Sequence, residues 1–218
     1  MHRIAPRDVA HVGHGTTVAT NLVIERRGAL TGLLTTKGFR DVLAIGRQIR
    51  PHLYDYRVGK PPPLALREHR LEIDERINAA GEVLKALDER EVEAAVEKLK
   101  AARVQSIAVC FLHAYRNPAH ERRAREAIER LMPETYVSIS SEVLPEFREF
   151  ERLSTTVLNA AVGPRMERYL DRFLERVKAL GIGVEPFTIH SNGGLMSVRA
   201  ARSFPVRTCL SGPAAGVV

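Results

Sequence analysis

The chain has 218 residues, 44% of them apolar, enough to bury a sizeable core in one or two domains. Its net charge of +7 invites a nucleic-acid reading, yet the surplus is local: residues 1–70 hold 12 Lys/Arg against 5 Asp/Glu, and the remainder is balanced. With 6% aromatic residues, no Trp, no zinc-finger ligand set and no helix-turn-helix spacing, no nucleic-acid partner is expected.

The longest apolar runs, such as residues 107–112, are strand-sized and fall far short of the roughly 20 residues a membrane helix needs, so no membrane span is expected. Residues 1–4 lack the apolar core of a signal peptide. Cys110 and Cys209 sit in apolar surroundings and read as buried free thiols of a cytoplasmic protein.

In chain order, periodicity and turn residues predict alternating helices and strands. Gly15 turns the chain into a helix over residues 17–27, capped by Thr16 or Thr17, followed by a strand over 30–35 and a short helix over 39–45. Residues 46–63, with four prolines and two glycines, form a long loop: either a substrate-facing or partner-facing segment, or a surface loop anchored by Tyr54 and Tyr56. Residues 68–77 alternate apolar and charged side chains. Asn78-Ala79-Ala80-Gly81 turns them back into 83–87 as a β-hairpin with one wet face.

Asp88 and Glu91 fit a capping box ahead of a helix whose apolar face is Val92, Ala95, Val96 and Leu99. A buried strand over 106–112 follows, and Asn117-Pro118 opens a helix with Ala124, Ala127, Ile128 and Leu131 on one face. A strand over 136–140 is expected beside 106–112, parallel to it through a right-handed crossover. From 149 to 180 the period is helical, with Gly163-Pro164 predicting a break or kink. Strands over 187–190 and 206–210 then open onto Asn192-Gly193-Gly194 and Ser211-Gly212-Pro213, and ligands gather at such strand ends in open α/β sheets. The first domain is expected to end near Leu144 or Pro145.

Five segments carry the residues with chemistry. His14-Gly15-Thr16-Thr17-Val18-Ala19-Thr20-Asn21 is a glycine turn rich in hydroxyls that runs into a helix. Leu34-Thr35-Thr36-Lys37-Gly38-Phe39-Arg40-Asp41-Val42 comes next, with Ile45-Gly46-Arg47-Gln48 behind it. Phe147-Arg148-Glu149-Phe150-Glu151-Arg152 then leads into Ser154-Thr155-Thr156-Val157-Leu158-Asn159. The last two are His190-Ser191-Asn192-Gly193-Gly194-Leu195-Met196 and Ser211-Gly212-Pro213-Ala214-Ala215-Gly216-Val217. In order and spacing they resemble the hydantoinase A / 5-oxoprolinase family, whose members couple ATP hydrolysis to opening a cyclic amide or activating a small carbonyl compound.

That resemblance implies an α/β chain of the actin-like ATPase (ribonuclease H-like) fold, a mixed sheet with flanking helices and the β-hairpin. Residues 1–145 are then the remainder of an N-terminal hydantoinase/oxoprolinase domain, and 146–218 the start of a second, hydantoinase A domain. It also implies ATP and Mg²⁺, held by two acidic Gly-Gly-Thr hairpins. Neither Asp-x-Gly-Gly-Thr nor Gly-x-x-x-x-Gly-Lys-Ser/Thr occurs in the 218 residues. The hairpins are expected before Met1 and shortly after Val218, so the chain reads as an internal piece of a longer subunit, inactive and without tight ATP affinity by itself.

His14, Gly15, Thr16, Thr17, Asn21, Arg47, Asn192, Gly193 and Gly194 are the expected substrate contacts. Ser211, Gly212 and Gly216 are the expected cofactor contacts, and Arg152 an interdomain residue. No catalytic role is assigned to any of them. His14 can polarise a carbonyl or carry a proton, while a lone histidine before a threonine-capped helix is also readable as structural. His113, His120 and Glu121 lack zinc spacing, so no metal is expected; a helix cap with acidic first-turn charge accounts for them. The implied partners are a small cyclic amide or ketone and a second subunit or domain of the hydantoinase B type, with oligomerisation open. The alternatives are a subunit of an acetone or acetophenone carboxylase, or a non-catalytic assembly module whose basic front half binds a partner chain.

Overall fold

The computed structural model describes residues 5–55 and 57–216. The readings made on residues 1–4, Tyr56 and Val217 lie outside the described residues. In chain order the elements begin with β1 (Gly13–His14), α1 (Val18–Ile24), β2 (Thr31–Thr36), α2 (Val42–Ile45), β3 (Arg70–Ile73), β4 (Arg76–Ile77) and β5 (Val83–Lys85). They continue with α3 (Glu89–Ala101), β6 (Ser106–Cys110), α4 (Ala119–Leu131), β7 (Tyr136–Ile139), α5 (Ser140–Val143) and α6 (Glu149–Ala179). β8 (Phe187–Ile189), β9 (Leu195–Ser197), α7 (Val198–Ser203) and α8 (Ser211–Ala215) complete the series. Two compact units result: Ala29–Ala161, and Met1–Gly28 with Val162–Val218. This is a different partition from sequence domains over 1–145 and 146–218, for it divides within α6 and groups the first 28 residues with the last 57.

The unit Ala29–Ala161 is built on a four-stranded parallel sheet in the order β3-β2-β6-β7. Every residue of β2 and β6 is buried, as parallel strands covered on both faces require. On one face Leu34, Ile107 and Val109 share a core with Val96 and Leu99 of α3 and Ile128 of α4. On the other, Leu33, Ala108 and Cys110 pack with Leu153, Val157 and Ala160 of α6. A Cβ on Gly32 would lie 2.8 Å from Leu99 Cδ1, so glycine there lets α3 settle onto the sheet. The expected parallel pairing of 136–140 with 106–112 is present as β7 on β6, with α4 as the crossover.

Two local expectations change. The stretch 68–77 is not one hairpin strand: β3 joins the parallel sheet beside β2, and only β4 pairs antiparallel with β5. The division falls at Asp74-Glu75, because the Glu75 carboxylate turns into the interior and is 1% exposed. Nor does the capping box close. Asp88 accepts from the Arg90 N–H at 2.9 Å, but Glu91 accepts from the Asp74 N–H at 3.0 Å and so ties α3 to that same division.

The other unit holds a small mixed sheet, β1-β8-β9, with β1 parallel to β8 (His14 opposite Thr188) and β8 antiparallel to β9. α6 runs unbroken through Gly163-Pro164, against the expected break. Pro164 removes one N–H and so the bond to the Ala160 carbonyl, while Val157, Ala161, Met166 and Leu170 stay buried in one helical register on both sides. The expected strand over 206–210 is instead a 3-10 turn, Pro205–Thr208. Pro205 pre-sets its first residue, and the Thr208 hydroxyl bonds back to the Pro205 carbonyl at 2.7 Å. Leu210 then takes φ +67° before α8 begins.

Candidate functional site

Within this second unit three of the motifs meet. Thr16, 5% exposed, donates its N–H to Ser211 Oγ (3.3 Å) and accepts from the same hydroxyl at its carbonyl (2.8 Å). The Thr16 hydroxyl accepts from the Val18 N–H at 3.2 Å, so it and not Thr17 supplies the side-chain cap of α1. Glycine on each side permits the approach. A Cβ on Gly15 would stand 2.6 Å from Ala215 Cβ, and one on Gly212 would stand 2.7 Å from Thr17 Cγ2. The Leu210 N–H adds a bond to Thr20 Oγ1 at 2.9 Å.

His14 lies half-buried just before this junction. Its ring stacks on Phe173 of α6 (centroids 4.2 Å apart), and Nε2 is 2.7 Å from the Tyr169 hydroxyl. Burial holds its pKa below the ordinary 6.5, so the ring is neutral at neutral pH. Nδ1 makes no hydrogen bond among the described residues. When the Tyr169 hydroxyl donates to Nε2, the neutral ring keeps its proton on Nδ1, as a donor for a carbonyl or anion. A cavity of about 370 Å³ opens here, lined by His14, Tyr169, Phe173, Arg172 and Arg176.

The β8–β9 turn is exposed. Asn192 Oδ1 accepts from the Gly194 N–H (3.1 Å), Gly193 takes φ +86° and donates to the His190 carbonyl (2.9 Å), and the Asn192 N–H reaches His190 Nδ1 (3.2 Å). The Asn192 amide oxygen is thus engaged in its own turn. Ser191 moors the turn to the 3-10 segment, its hydroxyl against the carbonyls of Arg207 (2.6 Å) and Cys209. Asn21 is exposed on α1 one turn beyond Thr17, and Gly216 closes α8 by donating to Pro213 and Gly212 carbonyls.

Arg47 and Arg152 belong to the unit Ala29–Ala161. Arg47 pairs with Glu151 at 2.7 Å. Arg152 is 1% exposed: it donates to the Phe111 carbonyl (2.9 Å) and lies over the Tyr115 ring, so it is a core residue and not part of a solvated face. His120 and Glu121 are more than a helix cap. His120 Nδ1 bonds Glu75 at 2.6 Å, and Glu75 in turn accepts from Thr36. Glu121, wholly buried, accepts from the N–H groups of Phe111 (3.0 Å) and Ser141 (2.8 Å) and from the Ser140 hydroxyl, while burial raises its pKa. These bonds brace the carboxyl ends of β2, β6 and β7. Among the described residues no group of three His, Cys, Asp or Glu is placed to hold a metal ion, and no helix is long and apolar enough to cross a membrane. Cys110 is buried, its pKa pushed up to about 11, whereas Cys209 is only partly buried.

Tyr169 and Phe173, the partners of His14, were legible only as apolar positions on the helical face of α6; nothing in the sequence ties them to a residue about 155 positions earlier. Residues 1–132 match the family described as hydantoinase/oxoprolinase N-terminal region, and residues 152–218 match hydantoinase/oxoprolinase. The chain belongs to the hydantoinase/oxoprolinase family. This family member is 37% identical to caprolactamase subunit alpha of Pseudomonas jessenii, over 92% of its own length and 29% of that protein. It is 32% identical to 5-oxoprolinase of Saccharomyces cerevisiae, over its whole length and 19% of that protein. The crystal structure of ATP-dependent caprolactamase from Pseudomonas jessenii matches it with a TM-score of 0.88 and 36% identity, over 96% of this chain and 30% of the other. A nucleotide-free structure of acetone carboxylase matches with a TM-score of 0.85 and 28% identity, over 95% and 31%. Both neighbours have the actin-like ATPase fold, and so does this hydantoinase/oxoprolinase chain. It spans less than a third of the length of these relatives.

Proposed function

We propose that this chain is part of a subunit of an ATP-dependent cyclic-amide hydrolase of the N-methylhydantoinase or 5-oxoprolinase type, working in the cytoplasm with a second subunit or domain of the hydantoinase B type. The observation that supports it best is the glycine-tight junction of the His14–Thr17 loop with Ser211 and Gly212, which brings motifs 195 residues apart into one place. A resonance-stabilised amide is a poor electrophile, and ATP with Mg²⁺, when bound, supplies a phosphoryl group that activates the carbonyl oxygen. The Ser211–Gly212 turn forms no cradle for the phosphates of ATP: the Ser211 hydroxyl is engaged with Thr16, and Gly212 lies against Thr17. We therefore assign the hairpins that hold the ATP phosphates to parts of the subunit outside this chain. To Ser211 and Gly212 we give the task of holding the loop, and to His14 that of orienting a substrate carbonyl through Nδ1. Positioning of this kind is where such a reaction gains most of its rate.

A second reading, a ketone carboxylase subunit, is favoured by the likeness to acetone carboxylase. Phosphate release from ATP by the whole subunit with its partner decides between them. Stimulation by lactams, hydantoins or 5-oxoproline is the expected result. Stimulation only by ketones with bicarbonate establishes the second reading, and none by either class overturns both.

A further inference from the structure

The face of α6 that bears Tyr169 also bears four arginines, Arg165, Arg168, Arg172 and Arg176, at spacings of three and four that place them in one row. Over eleven residues of helix the row is about 16 Å long. Among the described residues none of the four makes a hydrogen bond or ion pair. Two of the helix's own acids, Glu167 and Asp171, both bind Arg202 of α7, at 2.9 and 3.2 Å, and Asp171 does so from the lining of the larger of the two cavities beside the row. Among the described residues Glu175 makes no ion pair, and it lines neither cavity. Among the described residues the four arginines thus make no ion pair, and the one carboxylate that borders either cavity, Asp171, is already paired with Arg202.

They line concave space. Arg165, Arg168 and Arg172 border a cavity of about 610 Å³ whose apolar wall is Val18 and Leu22 of α1. Tyr169 and Arg172 are shared with the 370 Å³ cavity that Arg176 and His14 border, so the two are contiguous. A solvated arginine stripe on a convex helix needs no ligand. Guanidinium forks along a groove with an aliphatic wall at one end and the Phe173–His14 stack at the other suit a small molecule with several anionic groups on an apolar body.

We propose that this groove is a binding site for a small polyanion bearing two or more phosphate or carboxylate groups, held by the arginine row of α6 with its apolar part against Val18, Leu22 and Tyr169. The site goes beyond the reading above, since it calls for binding without turnover. Pyrophosphate and tricarballylate are the probes, titrated calorimetrically into the 218-residue chain. The expected result is saturable 1:1 binding of at least one probe, weakened at least tenfold in the double variant Arg168→Gln/Arg172→Gln. The same charge change placed in the other unit, Arg90→Gln/Arg122→Gln, leaves affinity unchanged. Preference for pyrophosphate identifies a phosphate ester as the natural ligand class, and preference for tricarballylate a polycarboxylate. In the unmodified protein, a bound probe also protects Arg168 and Arg172 from an arginine-directed dicarbonyl reagent, read by mass spectrometry, which decides the matter if the double variant is misfolded. No binding, equal weakening in both double variants, or absence of protection overturns the proposal.

Discussion

At Gly15 and Gly212 hydrogen is the only side chain that fits, and the two closest approaches lie on opposite sides of one contact. Adding a methyl group at either drives it to well inside van der Waals distance of Ala215 or Thr17, an overpacking that costs about 1–3 kcal/mol. Gly15→Ala and Gly212→Ala are each expected to lower the midpoint of urea unfolding, and the double variant less than additively, because both relieve their strain by opening the same junction. Full additivity would show that the two contacts are independent. His14 carries a pH signature. Its folded pKa lies below the unfolded 6.5, so the unfolded chain takes up the proton first as pH falls. Its contribution is fully present above about pH 6.5 and is lost as pH drops below that toward the folded value. Unfolding measured at pH 7.5 and 5.5 is expected to show a smaller loss in His14→Phe than in the parent; an equal loss would mean the ring is not desolvated.

At the scale of elements, what was legible follows from period and caps. The apolar face Val92, Ala95, Val96 and Leu99 is the buried face of α3, and the parallel pairing of β6 and β7 follows from the length of the intervening helix. What was not legible depends on where buried polar groups find partners. The sequence at 68–77 alternates like a single strand because the inward turn of Glu75 answers to His120, forty-five residues later. Pro164 predicts a break only if flanking burial is ignored, and Val206-Arg207-Thr208 has strand composition that Pro205 overrides. Glu121 shows the weight of such partners. Glu121→Ala leaves two buried N–H groups and a hydroxyl without an acceptor and is expected to cost about 3–5 kcal/mol, seen as a large shift in denaturant midpoint. Glu121→Gln retains an acceptor oxygen without the buried charge and is expected to cost much less. Equal losses would assign the effect to packing alone.

For the molecule as a whole, the excess positive charge belongs to residues 1–70, while the unpaired arginine row lies on α6. Neither comes with a helix-turn-helix or zinc-finger motif in the sequence, so binding to random duplex DNA is expected to be weak and to vanish at physiological salt. Tight, salt-resistant DNA binding would place the protein in another functional class. The candidate site was legible as separate motifs: the His14 loop, the β8–β9 turn and the Ser211 turn all fall in one compact unit, whereas Arg47 and Arg152 fall in the other. The grouping of residues 1–28 with 162–218 could not be read locally, because it rests on contacts such as Thr16–Ser211 and His14–Tyr169 across more than 150 residues.

The central claim is that the His14 loop lines the substrate site of an ATP-dependent enzyme. His14→Phe keeps the stack on Phe173 and removes both ring nitrogens. Substrate-dependent ATP turnover by the whole subunit with its partner, measured alongside the melting temperature, tests it most directly. The account predicts at least a tenfold fall in turnover, about 1.4 kcal/mol of transition-state stabilisation, at an unchanged melting temperature. Full turnover by His14→Phe would contradict it.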